Sequence, residues 1–218
     1  MIPEIVTPET KDFTTELQQI GLVPELLREI SERILLAFKQ KTSNDAAGAD
    51  GIYAYLAAVR AFRDMLCPMG WSIDRRHNLE IIENRNLKVS ISVSSGDKNT
   101  GKKDEIPKTK NPKGEQTREI VYQNARNSLF YEFDQKHTSI IEIKPFWIFL
   151  YHIDTKISQM RTEISLPLEM DFYGTRVENW GKRIILNTID FPPSPVLSDP
   201  DFVEEVEFEI KRRSNDKL

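Results

Sequence analysis

The sequence predicts an α+β fold: an N-terminal helical pair packed on a mainly antiparallel β-sheet, with a long basic loop inserted into the sheet. Three observations carry this. Apolar residues recur at helical spacing before residue 70, the period changes to two after Trp71, and hydrophobicity drops out between Gly96 and Arg118. Helices followed by strands point to α+β rather than to repeated βαβ units. The expectation is a single domain over residues 1–218, helical to residue 70 and β-rich from 71 onward, with the polar loop at 96–118.

Each element has its own signal. Phe13, Leu17 and Ile20 suggest a short first helix ended by Gly21. Pro24 suits a first helical position, where its missing N–H costs nothing, and Leu27, Ile30, Ile34 and Phe38 follow on one face to about Lys41. A second amphipathic helix is expected from about Ile52 to Leu66, with Ile52, Leu56, Val59, Phe62 and Leu66 toward a core. Its alanines (Ala54, Ala57, Ala58 and Ala61) allow a neighbour to approach closely, and Pro68 with Gly70 ends it.

Beyond Trp71, Leu79 to Ile81 and Leu87 to Val93 form a hairpin pair, the second alternating with Lys88, Ser90, Ser92 and Ser94 as if one face were wet. A short helix is expected from Glu119 to Leu129, and an alternating strand from Ser139 to Ile143. The continuous apolar run Phe146 to Ile153 reads as a central strand, turned by Asp154-Thr155-Lys156 into a second hairpin partner. There Met160, Thr162, Ile164 and Leu166 alternate with Gln159, Arg161, Glu163 and Ser165. Val177 to Trp180 reads as a helical turn, Arg183 to Ile189 as a strand, and Val206, Phe208 and Ile210 as a last strand in the tail.

Composition narrows the function classes. The formal net charge of −4 offers no global attraction to polyanions, so nucleic-acid binding would need a local patch. No apolar run approaches the ~20 residues of a membrane span, and the N-terminus carries no secretory pattern, so a cytoplasmic protein that does not engage membranes is expected. Cys67 is the single cysteine and cannot form an internal disulfide. No Cys-x-x-Cys, His-x-x-x-His or Gly-x-Ser-x-Gly pattern occurs.

Three functional readings follow. The leading one is a binding protein whose loop cations (Lys98, Lys102, Lys103, Lys108, Lys110, Lys113 and Arg118) engage nucleic acid or an acidic protein surface. The loop lacks aromatics for base stacking. The alternative is a metal-dependent nuclease. Glu142-Ile143-Lys144 resembles, in minimal form, the acid-x-Lys of the PD-(D/E)xK nucleases. That resemblance implies Mg²⁺ or Mn²⁺ held by Glu142 and Asp134, with Asp97 as another candidate acid and Lys144 positioning the attacking water. Outside that alternative no cofactor is expected. The third reading is a homo-oligomeric assembly protein. Gly96-Asp97-Lys98-Asn99-Thr100-Gly101-Lys102 matches the spacing of a phosphate-binding loop, but Lys103 replaces its Ser or Thr and no helix opens after it. A Gly-rich polar turn is the expectation there.

Overall fold

The computed structural model describes residues 2–76, 79–133 and 144–193. The expected strands at 139–143 and in the tail, with His77, His137, Asp134 and Glu142, lie outside these residues.

The chain enters through a three-residue strand, β1 (Glu4–Val6), and a short helix, α1 (Phe13–Gln19). Helix α2 (Pro24–Phe38) has Pro24 in its first turn and buries Leu27, Ile30 and Ile34 completely. Helix α3 (Ala49–Leu66) packs against it. Its core face differs from the expected one. Ala54, Ala58, Ala61, Phe62 and Leu66 are buried, whereas Ile52 and Leu56 are more than half exposed. The alanines win because a small side chain lets α2 come close, and that rotation turns the larger residues outward.

After a 3-10 turn at Cys67–Met69, three antiparallel strands follow: β2 (Ser72–Arg76), β3 (Leu79–Asn84) and β4 (Val89–Ser95). A long connection leads into α4 (Glu115–Phe133), and the chain returns as β5 (Phe146–Asp154) parallel to β4. Then β6 (Gln159–Met170), β7 (Val177–Ile185) and the two-residue β8 (Ile189–Asp190) complete the sheet. The order is β1-β7-β6-β5-β4-β3-β2, with β8 paired to β6. The sheet is mostly antiparallel. Its parallel pairs are β4 with β5 and β1 with β7. The architecture is therefore α+β as expected, with one β–α–β crossover inside it. Residues 177–180 belong to β7 and do not form a helical turn.

Strand alternation sends residues to two faces. Ile91, Val93, Trp147, Phe149, Met160, Ile164 and Ile184 meet α1, α2 and α3 in one core. On the opposite face, Phe146, Ile148, Leu150, Val177 and Trp180 pack with Val121 of α4.

That second face also explains the polar connection. Residues 96–114 do not project from a strand end. They lie over β6 and β7, held by charged groups that look solvent-facing in the sequence. Arg183 and Glu163 are both fully buried. Arg183 donates from Nε to Glu163 Oε1 (3.0 Å) and from Nη2 to Oε2 (2.6 Å), closing a bidentate pair. The same guanidinium donates to the carbonyls of Glu105 (2.9 Å) and Lys102 (3.0 Å). Arg161 donates to the carbonyls of Thr100 and Lys98, both at 3.0 Å, and Trp180 Nε1 donates to Pro107 at 2.8 Å. Each buried charge thus satisfies loop backbone that would otherwise be orphaned. Ser90, Ser92 and Ser94, expected on a wet face, are likewise buried.

The glycine-rich turn has a structural occupant. Gly101 N–H donates to Glu163 Oε2 at 2.8 Å, so the anion against this turn is the protein's own carboxylate. Gly101 has φ of +73°, and a Cβ there would come within 2.7 Å of Arg161 Cβ. Gly101→Ala is expected to lower stability by about 1–2 kcal/mol through left-handed strain plus the clash, read as a lower urea midpoint at unchanged m-value.

Candidate functional site

A cleft of about 950 Å³ opens where the parallel strands β4 and β5 end. Crevices outside the carboxyl ends of parallel strands are recurrent ligand positions, because the chain leaves the sheet in different directions and parts around the gap. Its walls come from the first turns of α3 and α4, the ends of the two strands, and residues 110–114. Gly48, with φ of +78°, precedes α3, and no side chain caps that helix. Gly114 precedes α4 and has no side chain to cap with. First-turn N–H groups at both helices therefore edge the cleft without side-chain caps from those glycines. Asp50 and Glu115 sit in these first turns, where a carboxylate complements the helix dipole, and Lys41 balances Asp50 at 3.7 Å.

The lining has a division of character. Phe38, Ile52, Tyr55 and Ile153 supply an apolar side. Ser94, His152, Lys110, Lys113 and Thr117 supply a polar one. Burial raises the phenol pKa of Tyr55 and, more strongly, of Tyr151, so both stay neutral hydrogen-bonding groups. Burial lowers His152, which keeps its ring neutral more readily, and its Nδ1 lies 3.3 Å from the Gly96 carbonyl oxygen.

Lys113 is the distinctive residue. Its Nζ donates to Ser94 Oγ at 2.6 Å, and Ser94 in turn donates to the Ser95 carbonyl at 3.0 Å. Among the described residues it makes no ion pair. Burial alone pushes the ammonium down to about 8. The pair forms because β4 points Ser94 to the face that residues 110–114 cover on their way into α4.

The other loop cations are arranged differently. Lys102 pairs with Glu105 at 2.9 Å, Lys103 with Glu9 at 3.1 Å, and Arg118 with Glu115 at 3.2 Å. Lys108 is bonded to Glu178, and that carboxylate raises its pKa. Hydrogen bonds from Thr7, then Lys103, hold Glu9 down at about 2. Lys98 and Lys110 are exposed and are in none of these pairs.

The residues of the nuclease reading are dispersed. Lys144 is bonded to Glu83, a buried carboxylate whose pKa that bond lowers, and Arg85 holds its other oxygen at 2.9 Å. Asp97 accepts from the Asn99 N–H at 3.0 Å within its own turn. Strands β4 and β5 run in register from Ser90 beside Phe146 to Ser95 beside Tyr151, so Asp97 and Lys144 stand beyond opposite ends, roughly 25–30 Å apart. Asp134 and Glu142 lie outside the described residues. Among the described residues, no three His, Cys, Asp or Glu side chains gather to hold a metal ion.

Sequence reasoning reached Lys113 only as one cation among seven and Ser94 and Tyr151 only as strand residues, and it placed both helix starts too late. The available signal was Lys113-Gly114-Glu115: a lysine and a glycine followed by an acid, as at a helix N-terminus.

No protein-family model, curated protein or solved structure matches the chain. No helix among the described residues is long and apolar enough to cross a membrane.

Proposed function

We propose that this protein binds a small acidic ligand in the cleft at the ends of β4 and β5, with Lys113 receiving the acid group. The observation that carries the reading is a half-buried lysine with no carboxylate partner among the described residues, facing a cleft of about 950 Å³. A cation so placed is desolvated without compensation, and an anion would supply it. The N–H groups of the first turn of α4 lie beside it and favour the same charge. Phe38, Ile52 and Tyr55 across the cleft suit an apolar body on the ligand.

An acidic partner was the expectation for the whole basic loop. The ion pairs narrow it, because Lys102, Lys103, Lys108 and Arg118 already answer carboxylates of this chain. Wrapping a nucleic-acid backbone would require breaking several of them, which favours a small ligand over a polyanion.

Isothermal titration with inorganic phosphate, lactate and phenylacetate tests the reading. At least one is expected to bind, and Lys113→Met is expected to weaken it tenfold or more, consistent with loss of a charge-assisted contact of about 1.5–3 kcal/mol. Binding indifferent to Lys113→Met would refute the assignment. Binding that fell instead with Lys98→Ala and Lys110→Ala would return it to the exposed loop.

A further inference from the structure

The Lys113–Ser94 pair has a chemistry beyond holding an anion. We propose that Lys113 Nζ condenses with the carbonyl group of a small oxo acid to form an imine, Ser94 relaying the proton. This rests on the cleft reading above, and names the ligand class it would accept.

The first support is placement. Lys113 lines the cleft, reaches it half-buried, and its nearest polar partner is a hydroxyl at 2.6 Å. A carboxylate partner would keep the amine protonated, and no ion pair among the described residues supplies one. Lys102, Lys103 and Lys108, by contrast, are each bonded to a carboxylate. The second support is protonation. With burial holding the ammonium at about 8, roughly a tenth to a fifth of the molecules carry the free amine near neutral pH. An exposed lysine offers on the order of a thousandth. Desolvation of this kind is a general route to a nucleophilic lysine.

The third is the relay. Ser94 Oγ touches Nζ and donates to the Ser95 carbonyl, so its hydroxyl can turn between the amine and a group beside it. The neutral nitrogen attacks the carbonyl carbon, a C–N bond forms, and the C=O pair moves to oxygen. A proton passes from nitrogen to that oxygen through Ser94, giving a carbinolamine. The nitrogen lone pair then expels the hydroxyl, which leaves as water with a proton delivered through Ser94, and the iminium returns its N–H proton to that relay, leaving the imine. No oxidant or reductant is needed. In a 2-oxo acid the first-turn N–H groups of α4 take over the carboxylate that Lys113 receives from a simple acid, which leaves the neutral amine free to meet the carbonyl.

The test uses the full chain with pyruvate or glyoxylate, then sodium borohydride, with peptide mapping by mass spectrometry. One reduced adduct on Lys113 is expected, its yield rising with pH through about 8. Lys113→Arg should abolish it. Ser94→Ala should slow adduct formation about a hundredfold, the lower end for loss of a positioned proton-transfer group. No adduct on Lys113 at pH 8.5, or adducts spread equally over Lys98 and Lys110, would overturn the proposal. Lactate, which has no carbonyl to condense, separates the two readings. Binding of lactate without a pyruvate adduct overturns the imine alone, and the absence of both an adduct and any binding of lactate, phosphate or phenylacetate overturns both. An adduct with no binding of any of the three acids upholds the imine and sinks the acid-binding reading.

Discussion

Glu163→Ala is expected to lower the stability of this protein by about 3–5 kcal/mol, the range for removing one partner of a buried ion pair. Glu163 is fully buried and takes four donors: two from Arg183, one from the Gly101 N–H and one from Ser165 Oγ. Truncation leaves the guanidinium of Arg183 without a counter-charge and Gly101 without an acceptor. The loss should show as a lower urea midpoint. It should also loosen residues 96–109, read as faster amide exchange at Gly101, Lys102 and Thr109. The double variant Glu163→Leu with Arg183→Leu separates charge from loop anchoring. It should recover part of the loss because no buried charge remains. It should not recover all of it, because the carbonyls of Lys102 and Glu105 lose their donor. A single variant within 1 kcal/mol of wild type would mean that water replaces Glu163 without penalty.

Lys113→Met should have the opposite sign. A folded-state lysine held near 8, against an ordinary 10.5, binds its proton less tightly when folded than when unfolded. Protonation therefore opposes folding, and the penalty is fully present below about 8, then fades as pH rises toward 10.5. The methionine variant is expected to be more stable than wild type by about 2 kcal/mol at pH 6–7, somewhat under the full shift because the side chain is only half-buried. Above pH 10 the two should converge. Chemical denaturation at several pH values reads this directly, and a constant difference across pH 6–10.5 would remove Lys113 as its source. A residue that destabilises the fold while facing a cleft is what a functional group would be expected to do.

Much of the fold was legible because apolar periodicity reports burial. Pro24 with its helical stripe, the Phe146–Tyr151 run and the hairpins on either side of the crossover all follow from it. The helical pair was readable from Pro24 and as far as Leu66, though the start of α3 and its packing face were not. Alanine carries little hydrophobic signal but allows the closest approach.

The largest unread part has one cause, polar burial. Arg161, Glu163 and Arg183 look like a wet strand face because no apolar residue marks them, yet residues 96–114 cover that face and satisfy it through backbone carbonyls. The same loop looks solvated, since its composition is polar and its partners lie more than sixty residues away. The first turn of α4 escaped because Glu115-Gln116-Thr117-Arg118 has no apolar period. The β7 pairing escaped because register shifts at Ser165, Pro167 and Glu169 of β6 break the alternation across it.

The site was hidden for a related reason. Lys113 differs from its neighbours in what surrounds it rather than in type, and only the crossover brings it to Ser94. The cleft itself depends on a parallel pair, β4 with β5, that the segregated order of helices and strands did not announce.

Amide shift mapping with a small acid tests the central claim most directly. Titrating ¹⁵N-labelled protein with phosphate or lactate is expected to move the N–H resonances of Gly114, Glu115, Gln116 and Thr117, with Ser94 and Ser95, and to leave them still in Lys113→Met. Shifts confined to Lys98, Lys103 and the exposed face of residues 96–110, with the start of α4 unmoved, would contradict it.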